Sequence, residues 1–253
     1  CVSLLGFIDD LKSLPPKTRL GVQAGITFFI FMISHDFSLF SKLGHLEQFS
    51  ALGSLLSLFY ILWLVNLFNF MDGINGIVSI EVLSTSLSIS LILYLVSPGH
   101  PMMYLLLSLS ACTIGFLPWN FPSARIFLGD CGSYFLGLTM AILSFQSVEE
   151  IPNIFYVWLI MLSVFVIDST FTLFKRILAK EKIFESHRSH AYQISALKFK
   201  SHKLITNSVL MINIFFLLPI SLMVSFNLIS GIIGILTSYI PLLFLWFLIN
   251  KKK

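Results

Sequence analysis

Two carboxylates stand side by side at Asp9 and Asp10 in the stretch GFIDDLKSLPPKTRLGVQ, and Arg19 follows. A second group lies in NLFNFMDGINGI, where Asn66, Asn69 and Asp72 recur at i, i+3 and i+6, the spacing of one broad helix face, with Gly73, Asn75 and Gly76 in the turn after them. A third is GFLPWNFPSARIFLGDCGSYFLG, in which Asp130 is placed as the N-cap of a helix. Gly129, Gly132 and Ser133 let the backbone approach a ligand there. The fourth is SHRSHAYQ, residues 186–193, with His187, Arg188 and His190 together. Each has an ordinary explanation: Asn, Asp and Gly cap helices, and cations hold a loop to lipid headgroups. Taken together, carboxylates, amides, glycines and cations make a site for Mg²⁺ and phosphates. Mg²⁺ prefers oxygen ligands and shares them with substrate phosphates, while the exposed amides of a helix start favour anions.

The elements that position these groups cross a membrane. The chain of 253 residues is 57% hydrophobic and 11% charged, with 26 Phe and a mean hydropathy of +0.91. Too little polar surface remains to cover a soluble globule, and runs such as GIIGILTSYIPLLFLWFLI approach the roughly 20 residues that cross a bilayer. Apolar windows bounded by Gly, Pro and charge predict helices at 20–35, 52–71, 77–96, 102–118, 132–147, 154–174, 204–226 and 229–250. These are eight complete spans of an all-α polytopic bundle. The opening CVSLLGFIDD reads as the end of a further, truncated span, so residues 1–253 form a single integral-membrane domain cut at its N-terminal side. Cys1, Cys112 and Cys131 suggest no disulfide framework.

Alternating the sides of these spans places the 16 Lys and Arg on one side, except Lys42. The positive-inside rule makes the rich side cytoplasmic, together with the C-terminus and the basic loop 175–203. Two spans separate each polar motif from the next, so all four emerge on that side. Glu81, about one turn into its helix, is expected to reach water there. Asp168 lies about two turns above the inner end of its helix. An ionisable group at that depth is a functional candidate, and pairing with a neighbouring helix accounts for it as well. Surface readings suffice for His35, His45 and His100, and His202 is expected to be solvated.

The motifs resemble those of the polyprenyl-phosphate N-acetylhexosamine-1-phosphate transferases, the MraY/WecA family (glycosyltransferase family 4). Asp9 and Asp10 look like its Asp-Asp pair. Asn66, Asn69, Asp72 and Gly73 are similar to its Asn-x-x-Asn-x-x-Asp-Gly segment, and Gly129, Asp130, Gly132 and Ser133 match its Gly-Asp-x-Gly-Ser segment. They stand in family order over nearly the whole chain. HRSHAYQ is similar to the branch that primes O-antigen and related surface polysaccharides; the peptidoglycan branch carries consecutive histidines there. Such members have about eleven helices, so about three, the truncated one included, would come before Asp9.

The resemblance implies transfer of a sugar 1-phosphate from a UDP-N-acetylhexosamine to undecaprenyl phosphate, with release of UMP, in a bacterial inner membrane. Asn69 and Asp130 would ligate Mg²⁺, with Mn²⁺ as an alternative, and Asp130 would be catalytic together with Asp9 and Asp10. Asp9 would deprotonate or orient the lipid phosphate, and Asp10 would support it. Arg19, Asp72, Asn75, Phe127, His187, Arg188 and His190 would contact substrate: Asn75 and Phe127 the uracil, Arg188 the diphosphate through a bidentate fork. The loop from Lys175 would act as a lid. The partners are the two substrates, the bilayer and a second copy as a homodimer, with no nucleic acid.

Other classes remain in view. A transporter would place its substrate near the bilayer midplane rather than at one edge, and Asp168 is the main residue pulling that way. Within the family, a phospho-MurNAc-pentapeptide transferase is the alternative, and an inactive assembly partner keeps the fold without the reaction. Zinc at His187 and His190 lacks ligands close by, Glu185 apart.

Overall fold

The polar residues sit at the ends of helices whose lengths follow the apolar windows. The computed structural model describes residues 1–33, 50–147, 151, 153–182 and 188–251. The described residues carry α1 (Val2–Lys12), α2 (Pro16–Ile33), α3 (Ser50–Met71), α4 (Ile77–Val96), α5 (Pro101–Asn120), α6 (Gly129–Gln146), α7 (Ile154–Met161), α8 (Ser163–Leu178), α9 (Ala191–Phe199), α10 (His202–Ile212), α11 (Leu218–Ser225) and α12 (Gly231–Asn250). The protein is a polytopic helical bundle, and every expected span coincides with a helix or a pair of helices. Among the described residues, five stretches are long and apolar enough to cross a membrane, or six if the pair α7–α8 counts as one. The chain divides into two compact units, Cys1–Asn69 with Leu128–Pro152, and Phe70–Phe127 with Asn153–Lys253.

In the first unit, α1 lies against α6 because Gly6 has no side chain. A Cβ there would stand 2.3 Å from the carbonyl oxygen of Asp130. Gly137 does the same for α6 and α3, where a Cβ would meet the Leu64 carbonyl oxygen at 2.7 Å. Without water to drive association, such small residues are what allow helices in lipid to pack closely. Val2, Leu5, Val65 and Tyr134 are buried between them, with Leu14, Ile26 and Leu138 packed around. α1 stops at Ser13, whose backbone is left-handed (φ 47°) and whose N–H donates to the Asp9 carbonyl. Pro16 is then the first residue of α2, a position where its missing N–H costs nothing.

In the second unit, α4 is the most enclosed span, with 78% of its window buried against 22% for α12. Ser79, Ser84, Thr85, Ser86, Ser88 and Ser90 give it small faces toward its neighbours. Four features depart from the expectations. The window at 154–174 is not one helix: α7 and α8 meet at a bend of 63°. The window at 204–226 carries a π-helical turn at Asn213–Leu217, just ahead of Pro219, whose missing N–H breaks the regular ladder. Asn213 Nδ2 donates to Glu81 Oε2 and to Ser84 Oγ, both at 2.8 Å. Glu81 is therefore fully buried against another helix and does not reach water as expected. His100 is also buried, as the cap of α5, accepting from the Met102 amide.

Candidate active site

The adjacent carboxylates point to different partners. Asp9, in the last turn of α1, is 4% exposed. Its Oδ1 accepts from the Leu14 amide at 2.7 Å; its Oδ2 accepts from Arg19 Nη1 at 2.9 Å and from Tyr134 Oη at 3.1 Å. Asp10 turns to α6, where its two oxygens accept from the amides of Asp130 (2.9 Å) and Cys131 (3.1 Å). Those amides open a helix and have no partner within it. The sequence predicts that such amides favour an anion or a phosphate, and in the structure the anion is a carboxylate of the same chain.

Asp130 lies in the first turn of α6, not before it as an N-cap; Leu128 occupies the cap position without a side-chain hydrogen bond. Capping by Asp10 from α1 is the physical reason. Gly129 makes room, with φ 66° and a would-be Cβ only 2.8 Å from Asp10 Oδ2. Asp130 Oδ1 accepts from Asn69 Nδ2 at 2.5 Å, and its Oδ2 stands 3.6 Å from Arg19 Nη1. Asn69 Nδ2 also reaches Ser133 Oγ at 3.3 Å. Burial, and then the Asp9 carboxyl beside it, pushes the Asp130 carboxyl up to about 6.

The structure thus brings together Asp9, Asp10, Arg19, Asn69 and Asp130. Asn66, on the same expected face, instead donates to Gln23 Oε1 on α2, and Gln23 is 1% exposed. Tyr134 was missed. Its phenol is the third donor to Asp9, and a tyrosine one turn into an apolar helix carries no sequence signal beyond core packing.

Asp72, Asn75, Phe127, Arg188 and His190 belong to the second unit. Asp72 follows the end of α3 and is half-buried. Gly73 is required there: a Cβ would stand 2.1 Å from Tyr192 Oη and 2.9 Å from Gln193 Nε2. Tyr192 Oη donates to the Phe70 carbonyl at 2.9 Å, so the last letters of HRSHAYQ are packed on the turn that carries Asp72. Asn75 Nδ2 donates to the Pro122 carbonyl, Asn75 Oδ1 lies 3.2 Å from His202 Nδ1, and Thr206 Oγ1 donates to the Asn75 carbonyl. His202 is exposed, as expected, and is also a partner of this turn. Phe127 is 73% exposed and Arg188 is exposed, whereas His190 is 4% exposed, its ring against Phe70 and Tyr192. His187 lies outside the described residues.

Two observations bear on a metal. The oxygens of Asp130 and the amide of Asn69 are the hard donors that suit Mg²⁺. Among the described residues no group of three or more His, Cys, Asp or Glu could hold a metal ion.

Comparison with known proteins agrees with these motifs. A family model described as "Glycosyl transferase family 4" matches residues 1–148. A protein of Bacillus subtilis (strain 168) named probable undecaprenyl-phosphate N-acetylglucosaminyl 1-phosphate transferase is 32% identical over 198 residues, covering 76% of this chain and 54% of the relative. The undecaprenyl-phosphate alpha-N-acetylglucosaminyl 1-phosphate transferase of Thermotoga maritima is 29% identical over 83% of this chain and 65% of its own length. A phospho-N-acetylmuramoyl-pentapeptide-transferase of Wolbachia sp. subsp. Brugia malayi is 26% identical over 59% of this chain and 50% of its own. The chain therefore spans between half and two-thirds of the length of these relatives.

Proposed function

Because the chain belongs to glycosyl transferase family 4, we propose that the protein transfers N-acetylhexosamine 1-phosphate from a UDP-sugar to undecaprenyl phosphate and releases UMP. The observation that carries this reading is the pair Asp9 and Asp130 about the guanidinium of Arg19, with Asn69 bonded to Asp130 and Asp10 on the amides that open the Asp130 helix. Three neighbouring carboxylates, two of them sharing one guanidinium, are a poor place for phosphates unless further positive charge enters. Mg²⁺ held by Asp130 and Asn69 would supply it, screening the repulsion between a nucleotide diphosphate and a lipid phosphate.

In the reaction, a phosphate oxygen of the lipid attacks the sugar-bearing phosphorus of the UDP-sugar. The bond from that phosphorus to the oxygen it shares with the uridine-bearing phosphate breaks, and UMP leaves with that oxygen. A phosphate monoester with a second pKa near 6 is already mostly dianionic at neutral pH, so positioning matters more than proton removal. Asp9 fits that modest role, because three donors hold it in place. Arg19 is available to phosphate on its exposed side. Of the nucleotide contacts that the resemblance suggests, Arg188 and Phe127 are open to a ligand and His190 is packed inside, so we assign His190 a supporting place.

The sugar is read as an N-acetylhexosamine, the class named for two of the relatives. HRSHAYQ, in place of consecutive histidines, favours surface-polysaccharide priming over the peptidoglycan reaction. The protein would sit in a bacterial inner membrane with its site and C-terminus cytoplasmic, on the charge asymmetry of its loops.

The test is an assay of the full-length protein with undecaprenyl phosphate, Mg²⁺ and a panel of UDP-N-acetylhexosamines, reading UMP and the lipid product. UMP release matched by lipid-linked sugar is expected, and chelation should abolish both. Movement of a solute across sealed vesicles without UMP release would overturn the reading in favour of a transporter.

A further inference from the structure

Asp168 is a deeply buried acid that the reaction as drawn does not use. It lies in the second turn of α8, beyond the bend, and is 5% exposed. Its Oδ1 accepts from the Ala191 amide at 2.8 Å and its Oδ2 from the Tyr192 amide at 3.0 Å. Ala191 and Tyr192 are the first two residues of α9, whose opening amides have no partner within the helix. The cap residue of α9, His190, makes no side-chain cap hydrogen bond. Its Nδ1 instead stands 3.5 Å from Asp168 Oδ1. Asp168 thus caps a helix that its own chain neighbours leave uncapped.

The carboxylate is itself held. Thr172 Oγ1 donates to Asp168 Oδ1 at 3.1 Å, and Trp246 Nε1 on α12 donates to Thr172 Oγ1 at 3.2 Å. From the other end, Tyr192 Oη donates to the Phe70 carbonyl, and its hydroxyl fills the space beside Gly73. A rigid line runs from α12 through Thr172 and Asp168 to the start of α9, and on to the turn bearing Asp72. Arg188 is the exposed cation two residues ahead of His190.

We propose that Asp168 is a positioning residue: by capping α9 from α8 it fixes where Arg188 and the Asp72 turn stand, and so sets the affinity for the nucleotide sugar. The inference rests on the reading of the protein as a UDP-sugar transferase. Asp168 touches no substrate. Its effect passes through the backbone of Ala191 and Tyr192, so the lipid phosphate is not expected to feel it.

Asp168→Asn in the full-length protein is the test. The amide keeps one acceptor and turns the other into a donor that faces a backbone N–H. KM for the UDP-sugar should rise about tenfold, the equivalent of roughly 1.4 kcal/mol, with KM for undecaprenyl phosphate within about twofold of wild type. Asp168→Glu should recover part of the loss. Thr172→Val, which removes a donor to the carboxylate but leaves the cap, should give the same split at smaller size and serves if Asp168→Asn does not fold. Equal changes in both KM values, or an unchanged UDP-sugar KM in a folded variant, would overturn the positioning role. Absence of UMP release by the wild-type protein would instead overturn the transferase reading itself.

Discussion

The Asp10 carboxylate accepts the backbone amides of Asp130 and Cys131, so one acid of the adjacent pair serves as the cap of the helix that carries the third acid. Asp10 thereby holds the first turn in which Asp130 meets Asn69. Asp10→Ala should cost about 1 kcal/mol of stability, the usual worth of a lost cap. Turnover should fall by more than that loss of folded protein explains, since Asp130 moves with its helix. Thermal unfolding and initial rates on the same preparation separate the two effects.

Arg19 neutralises Asp9 and leans toward Asp130. Removing it leaves Asp9, 4% exposed, as an acid without its counter-charge. Arg19→Ala should therefore lower the melting temperature and remove nearly all turnover. Arg19→Lys should recover stability better than activity, because one ammonium replaces the charge but not the planar fork. Melting curves of the two variants check the order.

Gly6 and Gly137 set the spacing of α1, α3 and α6, so any side chain there should be felt at the carboxylates. Gly6→Ala brings a Cβ against the Asp130 carbonyl and should destabilise by about 1–3 kcal/mol, with a loss of UMP release. Among the described residues nothing lies within 4 Å of a Cβ at Gly21 or Gly25 on α2, and alanine at either should be neutral or slightly stabilising. The contrast within one pair of neighbouring helices is read by thermal denaturation in detergent.

A side chain at Gly73 would meet the Tyr192 hydroxyl first and Gln193 Nε2 next. Gly73→Ala should weaken UDP-sugar binding, and adding Tyr192→Phe should restore part of it, because the hydroxyl is the nearest atom to the new Cβ. A double-mutant cycle on UDP-sugar KM should show coupling above about 0.5 kcal/mol.

How much of this was legible depends on what the signal was made of. Apolar windows bounded by charge placed the helices, because long apolar segments leave a strong, local trace. The bend between α7 and α8 was not legible, since no Pro or Gly marks Leu162. Neither was the π turn at Asn213–Leu217, although Pro219 stands beside it. At the site, spacing grouped Asn66 with Asn69 and Asp72, but helix packing turned Asn66 to Gln23. Asp10 stands out in the sequence as half of an acid pair and Asp168 as an ionisable group within a span, but their shared task of capping a helix from another helix leaves no local trace. Such a cap depends on contacts 120 and 23 residues apart in the chain.

The central claim is that Asp130, held by Asn69 and beside Arg19, is the acid on which phosphoryl transfer depends. It is tested most directly by Asp130→Asn in the full-length protein, assayed for UMP release at saturating Mg²⁺ and both substrates. The account predicts a folded protein whose turnover is reduced more than about a hundredfold, a loss that even outer partners of a metal ligand can cause. Turnover near the wild-type rate in that variant would contradict it.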